Sequence, residues 1–351
     1  MSNQIQEQIL SALSGVNDPE LHQDLVTLGM VQHVSVTDRR AEVRVMLTTP
    51  GCPTKAQLQE DISSALAGIE GVDAIELTFD SALKDAQKEA LPGVKYVVSV
   101  GSGKGGVGKS TVAANIAAAL ALEGASVGLL DADIYGPSQG RMYGIEGKRL
   151  MADDNKRIMP LSSHGVRIIT IANLVEEGQA LTWRGPILHG TLTQMLQQTL
   201  WGELDYLIVD MPPGTGDVQL SLSQLVPLTG AVMVTTPQDV ALLDVRRALS
   251  MLRKTHVPVL GVIENMSFYE LPDGTRDHIF GQGGAATFAD VERIPLLGQV
   301  PVKTALRESG DAGTPIVISD PASPVSIELR KATRLLAAQI SERSMMTLPV
   351  L

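Results

Sequence analysis

The segment Gly103-Lys104-Gly105-Gly106-Val107-Gly108-Lys109-Ser110 fits the pattern G-x-x-x-x-G-K-[ST] in full and adds a second cation, Lys104. Each position has a chemical use. The glycines let backbone N–H groups turn toward a polyphosphate at the positive end of the next helix, Lys109 would reach the β- and γ-phosphates, and the Ser110 hydroxyl would ligate Mg²⁺. A rival motif shares these residues. Gly101-x-Gly103-x-x-Gly106 matches a dinucleotide fingerprint, and Asp131 ends the next apolar run about where a ribose-binding carboxylate would sit, but Lys109 and Ser110 have no role in that motif. A glycine-rich turn without a ligand is the third reading, and a full match to this eight-position motif at a strand-helix junction argues against it. Lys104, within the same loop as Lys109, meets like-charge repulsion unless it faces concentrated negative charge. It is either solvated or crosses a homodimer interface to the other subunit's phosphates, as an arginine finger does in trans.

Acids at strand ends supply the rest of this chemistry. In Asp131-Ala132-Asp133-Ile134-Tyr135-Gly136-Pro137-Ser138, Asp131 and Asp133 could hold Mg²⁺ waters and orient an attacking water, or merely cap the loop. In Leu207-Ile208-Val209-Asp210, four residues that end an apolar run fit a carboxylate on Mg²⁺, and the turn Met211 to Asp217 that follows suits a phosphate-sensing switch. Lys104, Lys109, Asp131, Asp133 and Asp210 are the catalytic candidates, and Ser110, Asp131 and Asp210 the Mg²⁺ candidates. Asn265, at another strand end, could read a base edge by paired donor and acceptor. Thr235 to Asp239 and Pro301 to Glu308 could wall the same base site.

These residues must be brought together by a scaffold. Strand-like runs at 94–100, 126–130, 166–171, 204–209, 231–235, 258–263 and 296–300 alternate with helical patterns such as the Ala/Leu-rich 110–122. Short, fully apolar strands of this kind imply an α/β fold, a doubly wound, mostly parallel sheet whose strand carboxyl ends converge on one edge. Ahead of it, Ile5, Ile9 and Leu13 recur at helical spacing, followed by strands at 31–36 and 41–48, a helix near 55–67 and a strand at 72–79: a small α-β-β-α-β domain. The expected division is 1–80 for this α+β domain, 81–93 for a polar linker and 94–351 for the P-loop domain. Val325, Leu329, Ala332, Leu336 and Ile340 form the packed face of a final helix.

Composition sets limits on partners. With 28 Lys and Arg against 39 Asp and Glu, a net charge of −11 disfavours nucleic-acid binding. No cationic amino-terminal leader precedes an apolar stretch, and no apolar run reaches the roughly 18 residues of a membrane span, so a cytoplasmic protein without membrane contact is expected. The single cysteine, Cys52, means that one chain cannot build a four-thiolate metal site.

Taken with Trp183-Arg184-Gly185-Pro186 and Asp210-Met211-Pro212-Pro213-Gly214-Thr215-Gly216-Asp217, the loop motifs closely resemble the Mrp/ApbC family of deviant-Walker ATPases, described as iron–sulfur cluster carriers. Asp18-Pro19-Glu20 through Thr49-Pro50-Gly51-Cys52-Pro53 resembles the small iron–sulfur-assembly domain often found ahead of that ATPase. The resemblance implies a MinD/ParA-like fold, homodimers that sandwich ATP with Lys104 across the interface, Asp131 and Asp210 near Mg²⁺, Asn265 at adenine, and apo iron–sulfur proteins as recipients. One departure stands out. The family pattern continues after Asn-Met-Ser with Cys-x-x-Cys, whose thiolates from two subunits would hold a bridging cluster; here Leu271 and Gly274 occupy those positions. Cys52, in a Pro/Gly-flanked loop after a strand, is one substitute ligand, two copies meeting in a dimer, although a lone loop cysteine is more often idle. Glu270, Asp273, Asp277 and His278 are another set, or simply a solvated turn. The function expected is an ATP-hydrolysing carrier that transfers iron–sulfur clusters. The alternative is a ParA/MinD-like regulatory or positioning ATPase with no cluster, and an electron-donating ATPase reductase is disfavoured because thiolates are missing from the ATPase domain.

Overall fold

A computed structural model describes residues 2–17, 23–37, 39–47, 55–67, 69, 72, 74–81, 91–174, 185–214, 225–226 and 228–346. The chain divides into two compact units, 1–83 with 337–351, and 84–336.

In the first unit, α1 (Ser2–Leu13), β1 (Val31–Thr37), β2 (Arg40–Leu47), α2 (Lys55–Leu66) and β3 (Ala74–Ser81) follow the α-β-β-α-β order that the sequence periodicity indicates. β1 and β2 pair antiparallel across a turn in which Arg39 takes φ 65°, and β3 adds parallel to β2. Alternation in β2 sends Ala41, Val43 and Val45 inward against Ile9, Leu13, Leu58 and Ile62 of the two helices, which closes the core.

In the second unit, β4 (Val94–Ser102) runs into the phosphate-loop motif and then α3 (Lys109–Leu122). The order continues with β5 (Val127–Asp131), α4 (Gln139–Met142), β6 (Met151–Ala152), β7 (Ile158–Met159), β8 (Leu161–Ser163), β9 (Val166–Thr170), α5 (Gly185–Gln197), β10 (Leu204–Asp210), β11 (Gly230–Thr235) and α6 (Asp239–Lys254). It ends with β12 (Val259–Glu270), β13 (Arg276–Asp277), α7 (Gly284–Glu292), β14 (Leu296–Val302), α8 (Thr304–Asp311), α9 (Ile316–Ser319) and α10 (Pro324–Met346).

The large sheet has β14, β12, β11, β4, β10, β5 and β9 side by side and parallel, with β8 added antiparallel beside β9 and β13 antiparallel to the far end of β12. All seven expected strands are in this parallel set. Their apolar runs are buried on both faces, as in β4, where Val97, Val98 and Val100 are sealed between layers. The fold is the doubly wound α/β arrangement that the alternating pattern implies. Its consequence for the site is one of register: Asp210 at the end of β10 lies beside Asp131 at the end of β5 and beside Val100 of β4, two residues short of the β4 terminus. β12 is longer than the sequence suggests. It passes through Asn265 with an irregularity, Met266 at φ 55°, and runs on to Glu270, where it folds back onto β13.

Candidate functional site

The phosphate loop owes its shape to its glycines. Gly106 and Gly108 take φ 81° and 82°, a region costly for residues with a Cβ. A Cβ on Gly108 would lie 2.1 Å from Asn265 Nδ2, and one on Gly103 would lie 2.4 Å from the α6 backbone at Asp244 and Val245, so two of the motif's glycines are also fixed by close approach. Gly108 stands at the amino-terminal cap of α3, and no side chain caps that helix. The first-turn amides are therefore left for an anion, at the positive end of the helix.

Lys109 is buried under this loop. Its Nζ lies 2.5 Å from Asp210 Oδ1, 3.0 Å from Ser110 Oγ and 3.7 Å from Asp133 Oδ2. Lys109, Ser110, Asp133 and Asp210, all singled out from sequence, thus form one cluster. Asp131 is adjacent but differently engaged. Its Oδ2 accepts from the Ser138 and Gln139 amides at 2.9 and 3.0 Å and from Thr170 Oγ1 at 3.2 Å, while Oδ1 accepts from the Asp133 amide at 3.2 Å. Burial first, and then the charge of Asp210, push the Asp131 carboxyl up to about 7, against the pull of the Gln139 amide, Lys109 and the Ser138 amide. Burial also pushes Asp133 up, with Lys109 opposing.

Two residues at this centre escaped the sequence reading. Gln139, fully buried, donates from Nε2 to Asp210 Oδ2 at 2.7 Å and to the Ser110 carbonyl at 2.9 Å. Thr170 ends β9 next to Asp131. The rule that strand ends converge covers Thr170; for Gln139 the only signal was its place one residue beyond the Asp131–Ser138 run.

Asn265 is buried against the loop, donating from Nδ2 to the Val107 carbonyl at 2.9 Å. It borders a cavity of about 420 Å³ lined among others by Gly108, Thr111, Arg141, Met266, Lys303 and Leu306. The Pro301 to Glu308 segment does wall this space. Thr235 to Asp239 does not border it; Pro237 instead packs on Gly281 and Gly284. Lys104 is partly exposed, and its carbonyl accepts from Ser102 Oγ at 2.9 Å.

Where the family's cysteine pair would stand there is a tight hairpin. The Leu271 amide donates to the Thr275 carbonyl and the Gly274 amide to Leu271, with Gly274 at φ 84° and Asp273 Oδ1 accepting from the Thr275 amide and hydroxyl. The carboxylate and imidazole alternative is not assembled. Glu270 pairs with Lys303 at 2.9 Å, His278 Nδ1 faces the Ser267 carbonyl at 3.3 Å, and among the described residues no three His, Cys, Asp or Glu side chains form a metal-holding group. Cys52, Asp18 to Glu20, Thr49 to Pro53, Trp183, Arg184 and Thr215 to Asp217 lie outside the described residues. Among those described, no helix is long and apolar enough to cross a membrane.

Comparison with known proteins gives the family and the fold. Residues 93–337 match the family described as NUBPL iron-transfer P-loop NTPase, and residues 6–77 match that described as iron-sulfur cluster assembly protein. The iron-sulfur cluster carrier protein of Deinococcus radiodurans is 54% identical over 342 residues, 97% of each chain, and that of Escherichia coli K12 is 44% identical over 337 residues, 95% of this chain and 91% of that one. Among solved structures, the nucleotide-binding protein of Archaeoglobus fulgidus in complex with ADP is 34% identical, with a TM-score of 0.60 over 70% of this chain and 96% of that one. The cell division ATPase MinD of Pyrococcus furiosus, 24% identical with a TM-score of 0.54, shares the fold. The glycine loop, the paired strand-end acids and these relatives together place the chain in the NUBPL-type iron-transfer P-loop NTPase family, that of the iron-sulfur cluster carrier proteins and the one its Mrp/ApbC motifs indicate.

Proposed function

We propose that this chain is an ATP-binding and ATP-hydrolysing switch that works as a cytoplasmic homodimer and carries iron–sulfur clusters to apo-proteins. The observation that carries the nucleotide half is the Lys109 cluster: a buried ammonium between Ser110 Oγ and Asp210 Oδ1, directly under an uncapped helix terminus. Lys109 there stands in for a divalent cation among oxygen donors. Mg²⁺ would be held by Ser110 and, directly or through water, by Asp210 and Asp131, with the phosphates completing its shell, and would neutralise charge on the triphosphate. Such a site needs no all-protein cage.

The chain's own residues divide the remaining work. The Gly103 to Ser110 amides and Lys109 bind phosphate oxygens. Asp133, beside Lys109 and raised by burial, orients the attacking water. Asn265, its nitrogen engaged by Val107, offers its amide oxygen to a base amine such as that of adenine. Lys104 reaches the partner subunit's phosphates. The small amino-terminal domain, by its family match, serves the cluster.

The hairpin at Leu271 to Thr275 supports a second reading, a ParA/MinD-like switch whose output is the nucleotide-bound dimer itself, since no thiolate stands at the family's cluster position. The test of the shared foundation is nucleotide retention. Lys109→Ala is expected to lose ATP binding by equilibrium dialysis, and normal retention by that variant would remove the phosphate-cradle assignment.

A further inference from the structure

Gln139 opens α4 with no exposed surface, in a segment fixed by Asp131, which takes the Ser138 and Gln139 amides. Its Nε2 serves two acceptors, Asp210 Oδ2 and the Ser110 carbonyl. That pair settles which end of the amide is nitrogen, because the reverse orientation would set an oxygen against a carboxylate and a carbonyl. Among the described residues the buried Gln139 Oε1 consequently has no donor, and the buried hydroxyl of Ser138 has no partner. A buried polar atom left unmet is destabilising, so two on consecutive residues, next to a Ser110–Asp210 oxygen set, call for hydrogen-bond partners that the described residues do not supply. Water around a divalent ion is such a partner, and Mg²⁺ keeps several of its waters when bound.

We propose that Gln139 is a positioning residue of the divalent-ion site: Nε2 holds Asp210 and the Ser110 backbone together, and Oε1 accepts from a water of the ion's shell. The proposal rests on the phosphate-cradle reading above. It predicts a separation of two affinities. Binding of a fluorescent ADP analogue to the full chain in EDTA depends on the loop amides and Lys109 and should be the same in wild type and Gln139→Met. Mn²⁺ affinity of the ADP complex, read from the free-ion signal in electron paramagnetic resonance, should fall about 10–100-fold in the variant, the usual effect of removing an outer-shell partner. Gln139→Asn, polar but one methylene too short to span both acceptors, should show the same loss and serves if Gln139→Met does not fold. Equal Mn²⁺ affinity in a folded variant that binds the ADP analogue overturns the role of Gln139 alone. Loss of the ADP analogue in EDTA by both folded variants also overturns it, by making Gln139 a support of the loop. Failure of the wild type to bind the analogue overturns the cradle reading and this proposal with it.

Discussion

Lys104 shows what one residue type can and cannot announce. Its sequence neighbours identify it, and it is partly exposed, with its carbonyl accepting from Ser102 Oγ. If it serves the partner's phosphates, Lys104→Ala should keep nucleotide affinity and lower phosphate release about a thousandfold under saturating ATP, the lower end of what a residue supplied in trans contributes. Unchanged turnover would sink the role. Asp131 is the opposite case. Its position after an apolar strand was plain from sequence, but the four donors that hold it belong to the backbone and to Thr170, and no side-chain pattern records backbone amides. Gln139 was harder still, because an uncharged amide carries no spacing signature and acts only through the neighbours that the fold brings to it.

At the scale of elements, the apolar strands and the Ala-rich α3 were legible because continuous burial leaves a continuous apolar run. β12 was legible only as far as Ile263. Beyond it the strand carries Glu264, a charged residue with no exposed surface, which reads as the end of a strand. In the structure Glu264 accepts from Ser267 Oγ, the Ala285 amide and Gln299 Nε2, so its burial is offset by three donors and the strand continues. The far end of α3 has a clamp of its own. Glu123, its carboxyl-terminal cap residue, receives Arg330 and Arg334 of α10, each at 2.8 Å. Burial would raise the Glu123 carboxyl, but the two guanidinium groups outweigh it and hold it below its ordinary value. A depressed acid stabilises the fold above its unfolded pKa, and that contribution disappears as pH falls through the lower, folded value. Glu123→Gln should therefore cost about 1 kcal/mol near neutrality, as expected for a largely surface-located pair. Thermal unfolding of wild type and variant should converge as the pH drops below the usual carboxylate range; a constant gap would contradict the ion-pair account.

Across the whole molecule, the family is settled by relatives that match nearly the entire chain, while Leu271 and Gly274 stand where the family's cysteine pair is expected. Anaerobic reconstitution with iron and sulfide, followed by transfer to an apo-acceptor, separates the two readings. A carrier that uses Cys52 should develop the cluster absorbance in wild type and lose it in Cys52→Ser. Iron bound by neither would favour the nucleotide switch, and iron bound equally by both would clear Cys52. Whatever the ligand, β12 imposes a mechanical condition. One strand carries Asn265 at the wall of the 420 Å³ cavity, anchors α7 through Glu264, and ends in the exposed tip at Leu271. Between Asn265 and the tip the pairing with β14 slips, and Met266 takes φ 55°. The two ends of β12 are therefore not joined by one continuous ladder, and a push on Asn265 at the cavity wall would be absorbed at that break before it reached the hairpin.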